Sequence, residues 1–182
     1  EQSILPRGDD WDVDGTWGVV YSFDAIAHAA VDPRFAGEAW QTALRERAAE
    51  LLVELGRRQT LEGGWAYYDD PPFTEKPTWA TSFTTALLLP ALRIAEEDLD
   101  WPVPERMLER AVEAVRRCAL PNGAYSYDIS FLPEGYNLED INQPAGSLCR
   151  IQVCNWALRS CGDPKTTDER ITAGLAQLMK HH

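Results

Sequence analysis

The stretch Leu55-Gly-Arg-Arg-Gln59-Thr-Leu-Glu-Gly63-Gly64-Trp65-Ala-Tyr-Tyr68-Asp69 decides the fold. It starts as the end of a helix and breaks at a Gly-Gly pair. Glycine accepts the positive φ of a helix exit without steric cost. Aromatic residues follow at once, then acid and proline. A weaker copy stands at Arg116-Arg-Cys-Ala-Leu120-Pro-Asn-Gly123-Ala-Tyr-Ser-Tyr127-Asp128. At an offset of 59 residues, Arg57, Arg58, Leu61, Gly64, Tyr68 and Asp69 meet Arg116, Arg117, Leu120, Gly123, Tyr127 and Asp128. A repeat of that length is one supersecondary unit that needs a neighbour to bury its apolar face.

Outward from this stretch the chain reads as helices. The first, Thr16 to Val31, is apolar nearly all round, as a helix buried on most sides is. The second, Glu38 to Arg58, carries Leu44, Ala48, Leu51, Leu52 and Leu55 on one face and charge on the other. A third, about Thr78 to Glu96, is again apolar, and Pro90 is expected to kink or divide it. The fourth, Pro104 to Ala119, is amphipathic, with Pro104 in the first turn. A fifth spans about Pro144 to Ser160. The sixth is expected to open at Asp163-Pro164 and carries Ile171, Leu175, Leu178 and Met179 on one stripe. The expected fold class is therefore all-α, a single domain over residues 1–182. It has an irregular acidic arm (1–15) and three helical hairpins at about 16–58, 78–119 and 144–180. In each hairpin an apolar inner helix precedes an amphipathic outer one, and stacking buries the inner layer.

Composition narrows the function classes. A net charge of −12 excludes a nucleic-acid partner, which needs a basic stripe. No run of about 18 apolar residues exists, so no transmembrane segment is expected. The four cysteines, Cys118, Cys149, Cys154 and Cys161, lack Cys-x-x-Cys spacing and read as small buried hydrophobes in helices. That usage fits a reducing, cytoplasmic compartment.

The element Leu55-x3-Gln59-x3-Gly63-x-Trp65 resembles the QW motif of the terpenoid cyclases, the squalene–hopene and oxidosqualene cyclase group. The segment Asp14-Gly-Thr-Trp-Gly-Val-Val-Tyr21 is similar to the stretch that opens an inner helix there. The resemblance covers about residues 14–125. It implies a partial α/α toroid, the fold that also houses protein prenyltransferase β subunits. Gln59, Gly63 and Trp65 would then be structural, with the glutamine capping a helix start and stacking on the tryptophan. Three hairpins are about half of such a ring, which implies an additional toroid half in a longer protein, a ring fragment closed by self-association, or a divergent form with an open groove. The implied activity is binding or cyclising an isoprenoid-type apolar ligand by acid-initiated cation chemistry. The alternative reading is a non-catalytic α/α repeat domain acting as a protein-binding scaffold.

The candidate residues follow. The family's acid motif has only a fragment here, Asp12-Val13-Asp14-Gly15, without its last carboxylate. Asp24 and His28 are four apart on the most apolar helix, so they share a face and form the candidate catalytic acid–base pair. The plainer reading is a satisfied structural pair. Trp17, Tyr21 and Trp79, with the Thr85 hydroxyl, are the candidate lining of an apolar ligand site. Thr78, Thr81, Ser82 and Thr85 share one helix face, and such hydroxyls commonly bond back to helix carbonyls. Asp10, Asp12 and Asp14 followed by Gly15 match the first half of a calcium loop, though Tyr21 stands where its closing glutamate belongs. Calcium is the one cofactor this pattern suggests. The prenyltransferase zinc set has no counterpart, because His28 is the only internal histidine and no cysteine lies near it.

Overall fold

Apolar residues at helical spacing set six α-helices in the computed structural model, which describes residues 15–67, 79–129 and 140–181. They are α1 (Gly15–Val31), α2 (Glu38–Arg58), α3 (Ser82–Arg93), α4 (Met107–Arg117), α5 (Leu148–Ser160) and α6 (Asp168–His181). The protein is all-α: isolated bridges take the place of strands among the described residues. No described helix is long and apolar enough to cross a membrane.

The first helices of the three pairs pack in a row, α1 on α3 and α3 on α5. Each second helix packs on its own partner: α2 on α1, α4 on α3 and α6 on α5. Burial follows this plan. The middle inner helix, α3, has neighbours on both flanks and no exposed residue from Ser82 to Arg93. In contrast, α2 buries only Ala48, Leu51, Leu52 and Leu55, and α6 only Gly174. A residue added to Gly174 would meet Asn155 and Ile151 at 2.9 Å, so glycine is what lets α6 close on α5.

Several helix starts differ from expectation. The third helix begins at Ser82, not Thr78. Thr81 is extended, and its N–H goes to the Trp65 carbonyl at 3.0 Å. Pro90 does not divide α3; the helix runs to Arg93 and then widens into a π turn, Ile94–Asp98. Pro104 lies outside α4, because Arg106 takes a left-handed conformation (φ 61) and fixes the start at Met107. Pro144–Gly146 is a separate 3₁₀ turn before α5. Asp163-Pro164 does not open α6, which starts at Asp168.

Asp163 has a different task. It is buried, accepts from Arg116 Nε at 2.7 Å and from the Thr166 hydroxyl at 2.8 Å, and so ties α4 to the α5–α6 turn. Burial pushes its carboxyl up, but the bonds from Thr166 and Arg116 outweigh it and hold the pKa below the usual carboxylate value. A depressed native pKa stabilises the fold above the unfolded pKa of about 4, and that stabilisation is lost as pH falls through the native value. Asp163→Asn is therefore expected to cost about 2 kcal/mol at pH 7 and to flatten the acid limb of urea-denaturation stability. An unchanged acid limb would remove Asp163 from that role.

The repeat that organises the chain registers at 60 residues, one more than the count of identities gives. Gly63 (φ 98) and Gly123 (φ 86) are the paired left-handed positions. Thr60 N–H bonds to the Gly64 carbonyl and Leu120 N–H to the Ala124 carbonyl, each at 2.9 Å. Gly63 N–H returns to Thr60, and Gly123 N–H to Leu120. Trp65 therefore corresponds to Tyr125, not Ala124, and Tyr67 to Tyr127. The offset of 59 holds at the helix ends, Arg58 of α2 and Arg117 of α4, and the turn that demands glycine comes one residue later in the second copy.

The two joints, residues 59–67 and 119–129, hold the hairpins together. Gln59 caps the C-terminus of α2 and is buried; its Nε2 donates to the Gly63 carbonyl (2.8 Å) and to the Met107 carbonyl at the start of α4 (3.1 Å). Trp65 is fully buried, and its indole N–H donates to the Leu55 carbonyl at 2.8 Å. Residues 79–82 lie between the joints and bond to both: Thr81 to Trp65, and Ser82 N–H to the Tyr127 carbonyl.

Candidate ligand-binding face

Each inner helix keeps one stripe that its neighbours leave least covered. On α1 it is Trp17, Tyr21, Asp24 and His28, at i, i+4, i+7 and i+11, opposite the buried Val19, Val20, Phe23, Ala27 and Ala30. On α3 and its π turn it is Phe83, Leu87 and Ile94, with the buried Pro90 between them. On α5 it is Cys149, Val153, Trp156 and Ser160. Trp17, Phe83 and Cys149 stand 66 residues apart in sequence, and the other members follow at the same spacing. This second register ties the inner helices together as the register of 60 ties the joints.

At the N-terminal end of these helices the stripes merge into an aromatic wall. Trp17 stacks on Tyr21 with centroids 5.1 Å apart and on Tyr67 at 6.2 Å, and it meets Phe83 at 6.2 Å. Tyr67 stacks on Phe83 at 5.9 Å and takes Trp79 edge-on at 5.7 Å. Phe83 touches Tyr127 at 5.2 Å, and the Tyr127 hydroxyl lies 3.4 Å from that of Tyr67. The rings touch one another, so among the described residues they form a continuous platform. Tyr21 is 54 % exposed, and Trp17, Tyr67, Trp79, Phe83 and Tyr127 are all half-buried.

Charge is sparse among the described residues of this face. The Arg150 guanidinium sits 5.4 Å from the Tyr127 ring, but it is buried and donates to the carbonyls of Tyr125 and Ile141. Burial lowers its pKa from the usual arginine value. Burial and the neighbouring Tyr67 hydroxyl push the Tyr127 phenol up, so the phenol stays neutral. At the other end of the α1 stripe, His28 Nε2 lies 3.5 Å from Asp24 Oδ1, with the two side chains 47 % and 26 % exposed. Burial raises the Asp24 carboxyl and the charge of His28 lowers it. The pair is thus formed, but on a surface open to water and not inside the core.

The other candidates fall out as follows. Trp17, Tyr21 and Trp79 belong to the wall. Thr85 does not reach it: fully buried, it donates to the Thr81 carbonyl at 2.8 Å and accepts from Trp65 N–H at 2.9 Å. Asp10, Asp12 and Asp14 lie outside the described residues. Among the described residues no three His, Cys, Asp or Glu side chains converge as a metal site. Cys118 and Cys154 are buried as expected, while Cys161 is half-buried and Cys149 is exposed at the first turn of α5. Burial pushes the Cys118 thiol up to about 12 and that of Cys161 up to about 11, which keeps both un-ionised and inert.

Sequence reasoning missed Tyr67, Phe83, Tyr127 and Arg150 as one cluster. The signal was present: Tyr67 and Tyr127 are equivalent at a spacing of 60, and Phe83 follows Trp17 at 66. No protein-family model and no curated protein sequence matches the chain.

Proposed function

We propose that this chain is an arc of an α/α toroid of the terpenoid-cyclase type and that its open face binds an isoprenoid-like apolar ligand. One observation carries the reading: among the described residues a continuous platform of six rings, five of them half-buried, lies at the N-terminal end of the inner helix row. Rings at the open surface gain from covering, and burying about 200 Å² of apolar area is worth roughly 5 kcal/mol before ordering costs. Gln59 and Trp65 are both buried in the first joint, but the Gln59 amide donates to the Gly63 and Met107 carbonyls, where the motif resemblance would have it cap a helix start. Asp24 is the acid of this face, but it is wet and shared with His28. Alkene protonation needs a dry, strongly acidic carboxyl, so binding is the chemistry this segment supports by itself.

The test is tryptophan fluorescence of the chain titrated with squalene delivered from cyclodextrin. Saturable quenching is expected, and Trp17→Ala and Phe83→Ala are each expected to weaken it by about tenfold, the equivalent of 1.4 kcal/mol. Quenching that both variants leave unchanged would sink the reading. A scaffold role is favoured by a separate observation, the exposed Leu175 (49 %) and Met179 (81 %) on α6, which offer an apolar stripe to a further hairpin or partner. Loss of squalene binding in Leu175→Glu/Met179→Glu alone would move the ligand from the ring wall to that stripe.

A further inference from the structure

We infer that the ligand of this face is a long apolar alcohol whose hydroxyl is held by Asp24 and His28. The inference rests on the ligand-binding reading above and adds the chemical class of the ligand. It begins with the register of 66. Asp24 corresponds to Pro90 on α3 and to Trp156 on α5, and His28 to Ile94 and Ser160. The fold itself therefore does not need a polar pair at this level, since the other repeats fill it with Pro90, Ile94 and Trp156 and with a single hydroxyl, Ser160. The Ser160 hydroxyl donates back to the Trp156 carbonyl of its own helix at 2.8 Å. Asp24 and His28 are thus the polar departure in an otherwise apolar set of stripes.

Their geometry leaves them able to act outward. The pair is separated by 3.5 Å through Asp24 Oδ1, and both side chains reach solvent. Asp24 keeps Oδ2 for an O–H donor, and a hydroxyl can also bridge the loose gap to the imidazole. The length of the ligand follows from the helix. Seven residues separate Trp17 from Asp24, a rise of about 10 Å along α1. An apolar chain of at least that length covers Tyr21 and Trp17 while its head rests on Asp24.

Charge decides the head group. The stripes carry no lysine or arginine, and Arg150 at the far end is buried and bonded to two carbonyls. A phosphate or carboxylate head would face the Asp24 carboxylate on a chain of net charge −12. A hydroxyl donates to that carboxylate without bringing charge of its own.

The experiment compares three probes of matched carbon skeleton on the whole chain by tryptophan fluorescence: geranylgeraniol, phytane and geranylgeranyl diphosphate. The alcohol is expected to bind about tenfold more tightly than the hydrocarbon, the effect of one net hydrogen bond to a charged acceptor, and more tightly than the diphosphate. Asp24→Leu and His28→Leu are each expected to bring the alcohol to the level of the hydrocarbon and to leave hydrocarbon binding intact. A merely structural pair would weaken both probes together. Equal binding of alcohol and hydrocarbon, or tightest binding of the diphosphate, overturns the anchor and leaves the ligand-binding reading standing. No saturable binding of any probe overturns both.

Discussion

Trp65→Ala is expected to destabilise the protein by about 4 kcal/mol and to lower Tm by roughly 10 °C, read by circular dichroism and urea denaturation. The indole is fully buried in the first joint, among the largest side chains of the core. Truncation leaves a cavity where α2 ends and where the bridge to Thr81 forms. Much of the cost is packing. Leu55 O, which receives the indole N–H at 2.8 Å, also accepts from Gln59 N–H at 2.9 Å. Trp65→Phe keeps most of the volume and leaves that carbonyl with one donor, so about 1 kcal/mol is expected. Tyr125→Phe, at the equivalent place in the second joint, removes a 2.8 Å bond to Asn155 Oδ1 and the 3.1 Å bond accepted from Arg170 Nε, and is expected to cost about 2 kcal/mol. A Trp65→Ala loss under 1 kcal/mol would mean that the joint is not what couples the hairpins.

The joints also explain how much of the molecule was legible. Where a helix is bounded by its own periodicity, the bounds could be read: α2 ends at Arg58 as the Leu44–Leu55 stripe predicts, and α1 lies within one residue of the expected span. Where a start is set by a distant partner, it could not. Thr81 precedes a helix, yet its backbone is extended and its N–H belongs to Trp65 across the joint, and this holds α3 to Ser82. The face was half legible for the same reason. Trp17, Tyr21, Asp24 and His28 share one helix, so spacing alone puts them together. Tyr67, Tyr127 and Arg150 come from two joints and a third helix, and only the stacking of hairpins brings them to Phe83. Counting identities found the helix ends and missed the turn: Arg57 and Arg58 match Arg116 and Arg117 as the last residues of α2 and α4 at an offset of 59, while Gly63 and Gly123 match by conformation at 60, with one more residue between helix end and turn in the second joint.

That conformational match yields the second large effect, a contrast between two glycines with the same backbone. Gly63→Ala is expected to cost about 3–4 kcal/mol, and Gly123→Ala about 1–2 kcal/mol, in urea denaturation. Both residues have positive φ, at 98° and 86°, so both variants carry the strain of a side chain in the left-handed region. They differ in their surroundings. A Cβ on Gly63 would sit 2.6 Å from the Arg110 carbonyl oxygen and 3.0 Å from its carbon, whereas nothing lies within 4 Å of one on Gly123. The Arg110 backbone cannot retreat cheaply. Its guanidinium clasps the same joint through the Thr60 carbonyl at 2.8 Å and the Gln59 side chain at 3.3 Å. Arg117 adds a bond to the Glu62 carbonyl at 2.6 Å. Moving α4 away to admit a methyl group would stretch all of these and the Gln59–Met107 contact. Equal costs for the two variants would mean that α4 yields at Arg110, and the close seating of the first joint on α4 would then not be what orders the hairpins. A cost confined to Gly63→Ala beyond the shared strain identifies the joint–α4 contact as the place where one hairpin reads the position of the next.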